Sequence, residues 1–228
     1  MSQVANSEST DEVRSDSSAA RVARFLAGSI FGIAFVVLCF LMLTAALKGP
    51  DKVTMDGVTL NAGLVPGQKI LDRRLAVGDI APDFALNQIG GGNPVQLSKF
   101  TAQQGKVVFI NFWASWCQPC RDEMKDINDF YLAHKNENVQ VLTINYREDE
   151  ATIKSFFKDN NLIMPVVLDT EGKVAGGYKA TAFPESYFID KTGVIRELKN
   201  DISGANQSSA LTRTEMEQKL QTTLAATK

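Results

Sequence analysis

Two cysteines stand three positions apart in Asn111-Phe-Trp-Ala-Ser-Trp-Cys117-Gln-Pro-Cys120, where an apolar run of strand length gives way to a helical pattern. A Cys-x-x-Cys pair at such a junction suits dithiol–disulfide chemistry. A thiol at a helix N-terminus faces backbone N–H groups that have no intrahelical acceptor, together with the positive end of the helix dipole. Both favour the thiolate. Cys117 is therefore the expected nucleophile, and Cys120, one turn further on, the more buried resolving thiol. Pro119 suits the first helical turn, where a missing N–H costs little. The competing reading for two such cysteines is a zinc half-site. A structural zinc takes about four ligands, and the chain has only Cys39 and His134 to add, the first of them inside an apolar segment. A purely structural disulfide would close too short a loop to stabilise a chain much. Redox use of the pair fits best, with no metal and no cofactor beyond a Cys117–Cys120 disulfide.

The elements that position this pair follow from periodicity. Lys106–Trp113 and Val139–Tyr146 are apolar runs of strand length. Between them Met124, Ile127, Phe130 and Tyr131 fall at helical spacing, which predicts a helix over Arg121–His134. A second helix is expected over Ala151–Asp159 and a short strand over Pro165–Leu168. Ser186–Ile189 and Val194–Leu198 flank the turn Asp190-Lys191-Thr192-Gly193, as in an antiparallel hairpin, and Thr214–Ala225 closes the chain as a helix. Strand–helix–strand units followed by a hairpin and a helix predict an α/β domain, a mixed central sheet with helices on both faces. Gly90–Pro94 reads as a turn, and His134 lies too far along its helix to serve Cys117.

The 228 residues carry 24 Lys+Arg against 26 Asp+Glu, a formal charge of −2. From Pro50 onward the balance is 20 against 22, so there is no basic face for nucleic acid. The apolar residues are unevenly spread. Phe25–Leu47 is a run of 23 residues without a charge, about 34 Å long as a helix against a hydrocarbon core of about 30 Å. Such a length exceeds the ~7–15 residues of a signal-peptide core, which favours an uncleaved transmembrane signal anchor over a cleaved leader. Arg14, Arg21 and Arg24 precede the run, while Lys48 and Lys52 follow it, and this bias places the N-terminus in the cytoplasm. The expected organisation is a disordered tail over 1–24 and a membrane span over 25–47. A linker with room for an added hairpin follows over 48–76, and then a catalytic domain over 77–228 on the extracytoplasmic side.

Three motifs carry a family resemblance. VVFINFWASWCQPCRDEM resembles the active-site segment of the thioredoxin superfamily, and more narrowly that of the TlpA/ResA/CcmG-like membrane-anchored thiol–disulfide oxidoreductases. The stretch Gly78-Asp-Ile-Ala-Pro-Asp-Phe-Ala-Leu86 is similar to the opening of that branch and of peroxiredoxins. Thr181-Ala-Phe-Pro-Glu-Ser-Tyr-Phe-Ile-Asp190 is similar to the segment bearing the cis-proline of these folds. Together they span roughly Val77 to Lys228.

The resemblance implies a thioredoxin-like fold with Pro184 as the cis-proline beside the disulfide. It further implies that the backbone of Phe183 pairs with an extended substrate, and that Trp116 covers the site as a partly exposed apolar platform. Many thioredoxins carry a buried Asp where this chain has Asn111, which does no acid–base work. In the TlpA-like branch a Glu three residues after the second cysteine contributes instead, and Glu123 holds that place. Its side chain is either a buried proton partner for Cys120 or a solvated acid of the first helical turn.

The function implied is reduction of extracytoplasmic protein disulfides at a bacterial inner (cytoplasmic) membrane, with the domain on the periplasmic side. A membrane thiol carrier would be the electron donor. Relatives commonly serve cytochrome c maturation or copper-site assembly. The alternative is a peroxiredoxin-like thiol peroxidase, suggested by the shared Pro-Asp-Phe opening, although that chemistry typically uses a lone peroxidatic cysteine.

Overall fold

The computed structural model of the chain describes residues 52–55, 58–200 and 210–226. The apolar segment 25–47 lies outside them, as do the tail 1–24 and Cys39. Among the described residues no helix is long and apolar enough to cross a membrane. The strands are β1 (Lys52–Met55), β2 (Val58–Asn61), β3 (Gly63–Leu64), β4 (Phe84–Leu86), β5 (Val95–Gln96), β6 (Val107–Trp113), β7 (Val139–Tyr146), β8 (Val166–Asp169), β9 (Glu185–Ile189) and β10 (Ile195–Asn200). The helices are α1 (Gln118–His134), α2 (Glu150–Asp159), α3 (Lys173–Tyr178) and α4 (Arg213–Ala225).

The central sheet has the order β10-β9-β6-β7-β8. β6, β7 and β8 run parallel, and β9 and β10 return antiparallel. This is the mixed sheet expected from the alternation of elements. β6 shows why its sequence is almost continuously apolar, because both faces of a central strand are covered. Val107, Phe109 and Trp113 point into one core with Met124, Ile127 and Phe130 of α1, Ile153 and Phe156 of α2, and Met216 and Leu220 of α4. Val108, Ile110 and Phe112 point into the other, with Leu142, Ile144, Tyr178 and Tyr187.

The second face departs from the expected layer of helices. It is covered by the six-residue α3 and by a small antiparallel sheet β3-β4-β5. Strands of two or three residues are too short to show alternation. Helix α3 contains Gly176 and Gly177, poor helix formers. A Cβ on Gly177 would lie 2.5 Å from the Leu64 side chain, so close packing on β3 is what requires glycine there.

Within 48–76, expected to be a linker with room for an added hairpin, residues 52–55 and 58–76 are described. β1 and β2 form the added hairpin, paired antiparallel from Lys52 with Asn61 to Met55 with Val58. β3 joins the small sheet, and Leu75 is buried in the second core. Helix ends are set locally. Asp149 accepts from the Thr152 N–H at the start of α2, and Thr212 with Glu215 forms a capping box on α4.

Candidate active site

The site is assembled where β6 ends and α1 begins. Cys117 is the N-cap residue of α1, in extended backbone, and its Sγ accepts from the Cys120 N–H at 3.3 Å. The two cysteines are joined by a disulfide. Helical continuation from Gln118 brings Cys120 under the chain, where it is fully buried, while 7 % of Cys117 is exposed. The helix begins three residues before the periodicity suggested, because the motif supplies a cap and a proline in the first turn rather than apolar spacing.

The turn that presents Cys117 is held from the neighbouring strand end. The Glu148 carboxylate accepts from the Ser115 N–H at 2.7 Å, from the Ser115 hydroxyl, and from Asn145 Nδ2 at 2.7 Å. Trp116, next in sequence, stands 66 % exposed above the disulfide. It meets the Phe183 ring edge-on, with centroids 6.4 Å apart. The Phe183–Pro184 peptide is cis, and the Phe183 carbonyl oxygen lies 3.5 Å from Cys117 Sγ. The structure therefore brings together Trp116, Cys117, Cys120, Phe183 and Pro184.

Glu123 lies behind the disulfide and is 1 % exposed, which overturns the reading of a solvated first-turn acid. As the third residue after Cys120 it shares that cysteine's helix face. Its carboxylate accepts from Asn111 Nδ2 and from the Leu211 N–H, both at 2.6 Å. Burial raises its pKa to about 8, against the opposing pull of these donors. Asn111 is thus a positioning group, as its amide also donates to the Ser186 hydroxyl at 3.0 Å. Trp113 is buried in the core. His134 is satisfied away from the disulfide, with Glu137 at 2.7 Å and Glu217 at 2.9 Å.

The sequence reading missed a second buried acid. Glu185 follows Pro184 and is 1 % exposed. It pairs with Arg74 at 2.8 Å and accepts from the Tyr187 hydroxyl. Arg74 also donates to Thr181 Oγ1 at 2.9 Å, tying the chain before β4 to the loop that carries Phe183. Burial raises the Glu185 pKa. The only local signal was an acid beside the proline motif, because Arg74 lies 111 positions away.

A buried dithiol/disulfide at a helix N-terminus, faced by a cis-proline on a mixed α/β sheet, defines a thiol–disulfide oxidoreductase of the thioredoxin-like fold. The AhpC/TSA family model matches residues 77–198, more than half of the chain. The thiol–disulfide oxidoreductase ResA of Geobacillus kaustophilus is 35% identical over 124 residues, covering 54% of this chain and 69% of the relative. ResA of Bacillus cereus is 32% identical over 168 residues, covering 73% and 87%. Among solved structures, a Chlorobium tepidum protein assigned as the thiol:disulfide interchange protein DsbE superposes with a TM-score of 0.55 at 30% identity, over 66% of this chain and 99% of its own. StoA of Bacillus subtilis, at 24% identity and a TM-score of 0.51 over 62% and 98%, shares the fold. The chain belongs to the AhpC/TSA family, on its ResA/CcmG-like thiol–disulfide oxidoreductase branch.

Proposed function

We propose that the chain is a membrane-tethered reductant of extracytoplasmic protein disulfides, held by a single span over 25–47 with its catalytic domain, 77–228, on the periplasmic side of a bacterial inner membrane. The observation that carries the redox role is the Cys117–Cys120 disulfide at the α1 N-terminus, with Phe183 and Pro184 in front of it and Glu123 behind. The tether rests on the uncharged run Phe25–Leu47 and the arginines that precede it.

In the reduced protein, the free N–H groups of the first helical turn favour the Cys117 thiolate. It attacks one sulfur of a target disulfide, forming a mixed disulfide and releasing the other target sulfur as a thiolate. The ionised form of Glu123, a minority near neutral pH because burial raises its pKa to about 8, takes the proton of the Cys120 thiol. The Cys120 sulfur then attacks Cys117, and the second target thiolate leaves. The target gains two electrons, its two thiolates take up one proton returned by Glu123 and one from solvent, and the protein is left as the disulfide seen here. Trp116, Phe183 and Pro184 form the surface on which the target segment lies. A membrane thiol carrier restores the dithiol, and no cofactor beyond the disulfide itself takes part. Cytochrome c maturation and copper-site assembly both need such a reductant, because disulfides persist outside the cytosol. A thiol peroxidase reading has less support, since Cys117 is paired within a Cys-x-x-Cys turn and the ResA relatives are disulfide oxidoreductases.

The test is to express the full-length Cys120→Ser variant in intact membranes and identify what Cys117 captures. A reductant-sensitive adduct with an apocytochrome c or a copper-site protein is expected. No adduct, or an unselective set of newly exported proteins, would contradict the assigned role.

A further inference from the structure

Beside the disulfide runs an open groove of roughly 700 Å³, walled by Trp116, Cys117, Tyr146, Arg147 and Phe183 and floored by small residues such as Gly176. Its walls are largely aromatic. Tyr146 packs on Phe183 with ring centroids 4.9 Å apart. Among the described residues, Arg147 is the one charged side chain lining it.

The local structure holds Arg147 in place. It sits at φ 58°, a left-handed conformation uncommon for a residue with a side chain, and its N–H donates to the Asp169 carbonyl at 3.2 Å. Its Nε donates to the Glu171 carbonyl at 3.2 Å, and its guanidinium lies over the Tyr146 ring at 5.1 Å. A Cβ on Gly172 would come within 2.6 Å of that Nε and 2.8 Å of the Tyr146 ring, so the glycine leaves room for the folded-back guanidinium. Among the described residues it makes no close ion pair; the Asp169 carboxylate, whose charged form it favours, is buried and accepts from the Val174 and Ala175 N–H groups. Glu148, the next residue, is engaged by Ser115 and Asn145.

We infer that Arg147 is a specificity residue that binds the carboxylate of an acidic residue flanking the target cysteine, so that acidic segments are the preferred substrates. The inference rests on the reading that this groove seats the segment attacked by Cys117. A guanidinium fork matches a carboxylate with two parallel hydrogen bonds. Stacking on Tyr146 orients the fork in advance, which reduces the entropy lost on binding. The aromatic walls accept the apolar parts of the same segment.

The test uses the reduced full-length protein and three short peptides. They are identical except for Glu, Gln or Lys beside a single cysteine, which is held as a mixed disulfide with uncharged 2-mercaptoethanol. The expected kcat/KM for the Glu peptide exceeds that for the Gln peptide by about tenfold, or about 1.4 kcal/mol, with the Lys peptide slowest. The preference should shrink as salt rises. Arg147→Gly suits the left-handed backbone and should bring the Glu/Gln ratio to near one. The ratio within each variant cancels any loss common to both peptides. A ratio near one in the native protein, or a preference that survives Arg147→Gly, overturns the inference. Failure to reduce any of the peptides would overturn the assignment of the groove itself.

Discussion

Cys117→Ser is expected to lower the rate of protein-disulfide reduction by on the order of 10³-fold or more, since a hydroxyl cannot take the place of the attacking thiolate. Cys120→Ser should fail differently. The first attack survives, one equivalent of target is captured, and turnover stops at the mixed disulfide. The difference follows from position. Cys117 is the helix-capping residue and has some exposure, whereas Cys120 is fully buried one turn below and can reach only its neighbour's sulfur. The remaining cysteine, Cys39, lies in the apolar N-terminal segment and offers no substitute. Single-turnover kinetics with a disulfide-bonded peptide would check both variants. Equal behaviour of the two would contradict the division of labour between the sulfurs.

Glu123→Gln should change how stability depends on pH. Burial raises the pKa of Glu123 to about 8 from its ordinary 4.5. Between those values the unfolded chain has released the proton that the folded protein still holds. The stability contributed by the neutral acid is therefore complete below about 4.5 and is lost as pH rises through about 8. Across that window the folding equilibrium weakens by up to about tenfold per pH unit from this group alone. Gln imitates the neutral acid and should flatten the profile, leaving the variant close to the native protein near pH 5 and more stable near pH 9. Its amide is accommodated because Asn111 can turn over to present Oδ1, which has no partner as it stands. The same substitution removes the proton acceptor for Cys120, so release from the mixed disulfide should slow by about 10²-fold. Denaturant unfolding of the oxidised protein across pH, paired with release kinetics, tests both effects. An unchanged stability profile would show that Glu123 is ionised in the fold.

Much of this site was legible because it is local in sequence. The strand before Cys117 shows a two-sided apolar run, and the helix after it shows the spacing of Met124, Ile127 and Phe130. The Phe183–Pro184 pair was legible through its motif. What the sequence did not show depends on distant contacts. Whether Glu123 is buried is decided by Leu211, 88 positions away, and Arg74 reaches Glu185 across 111. The groove cation was hidden for another reason. Arg147 adopts a left-handed conformation that its own residue type does not favour, in a place opened by Gly172. Helix α3 and strands β3 to β5 are too short to carry a period, and packing against their neighbours determines them.

The most direct measurement is competitive alkylation of the reduced full-length protein at neutral pH, quantified cysteine by cysteine by peptide mass spectrometry. Cys117 should take up the label at least about tenfold faster than Cys120, as a partly exposed thiolate at a helix N-terminus above a shielded partner. Equal labelling of the two, or faster labelling of Cys120, would contradict the assignment of Cys117 as the attacking sulfur.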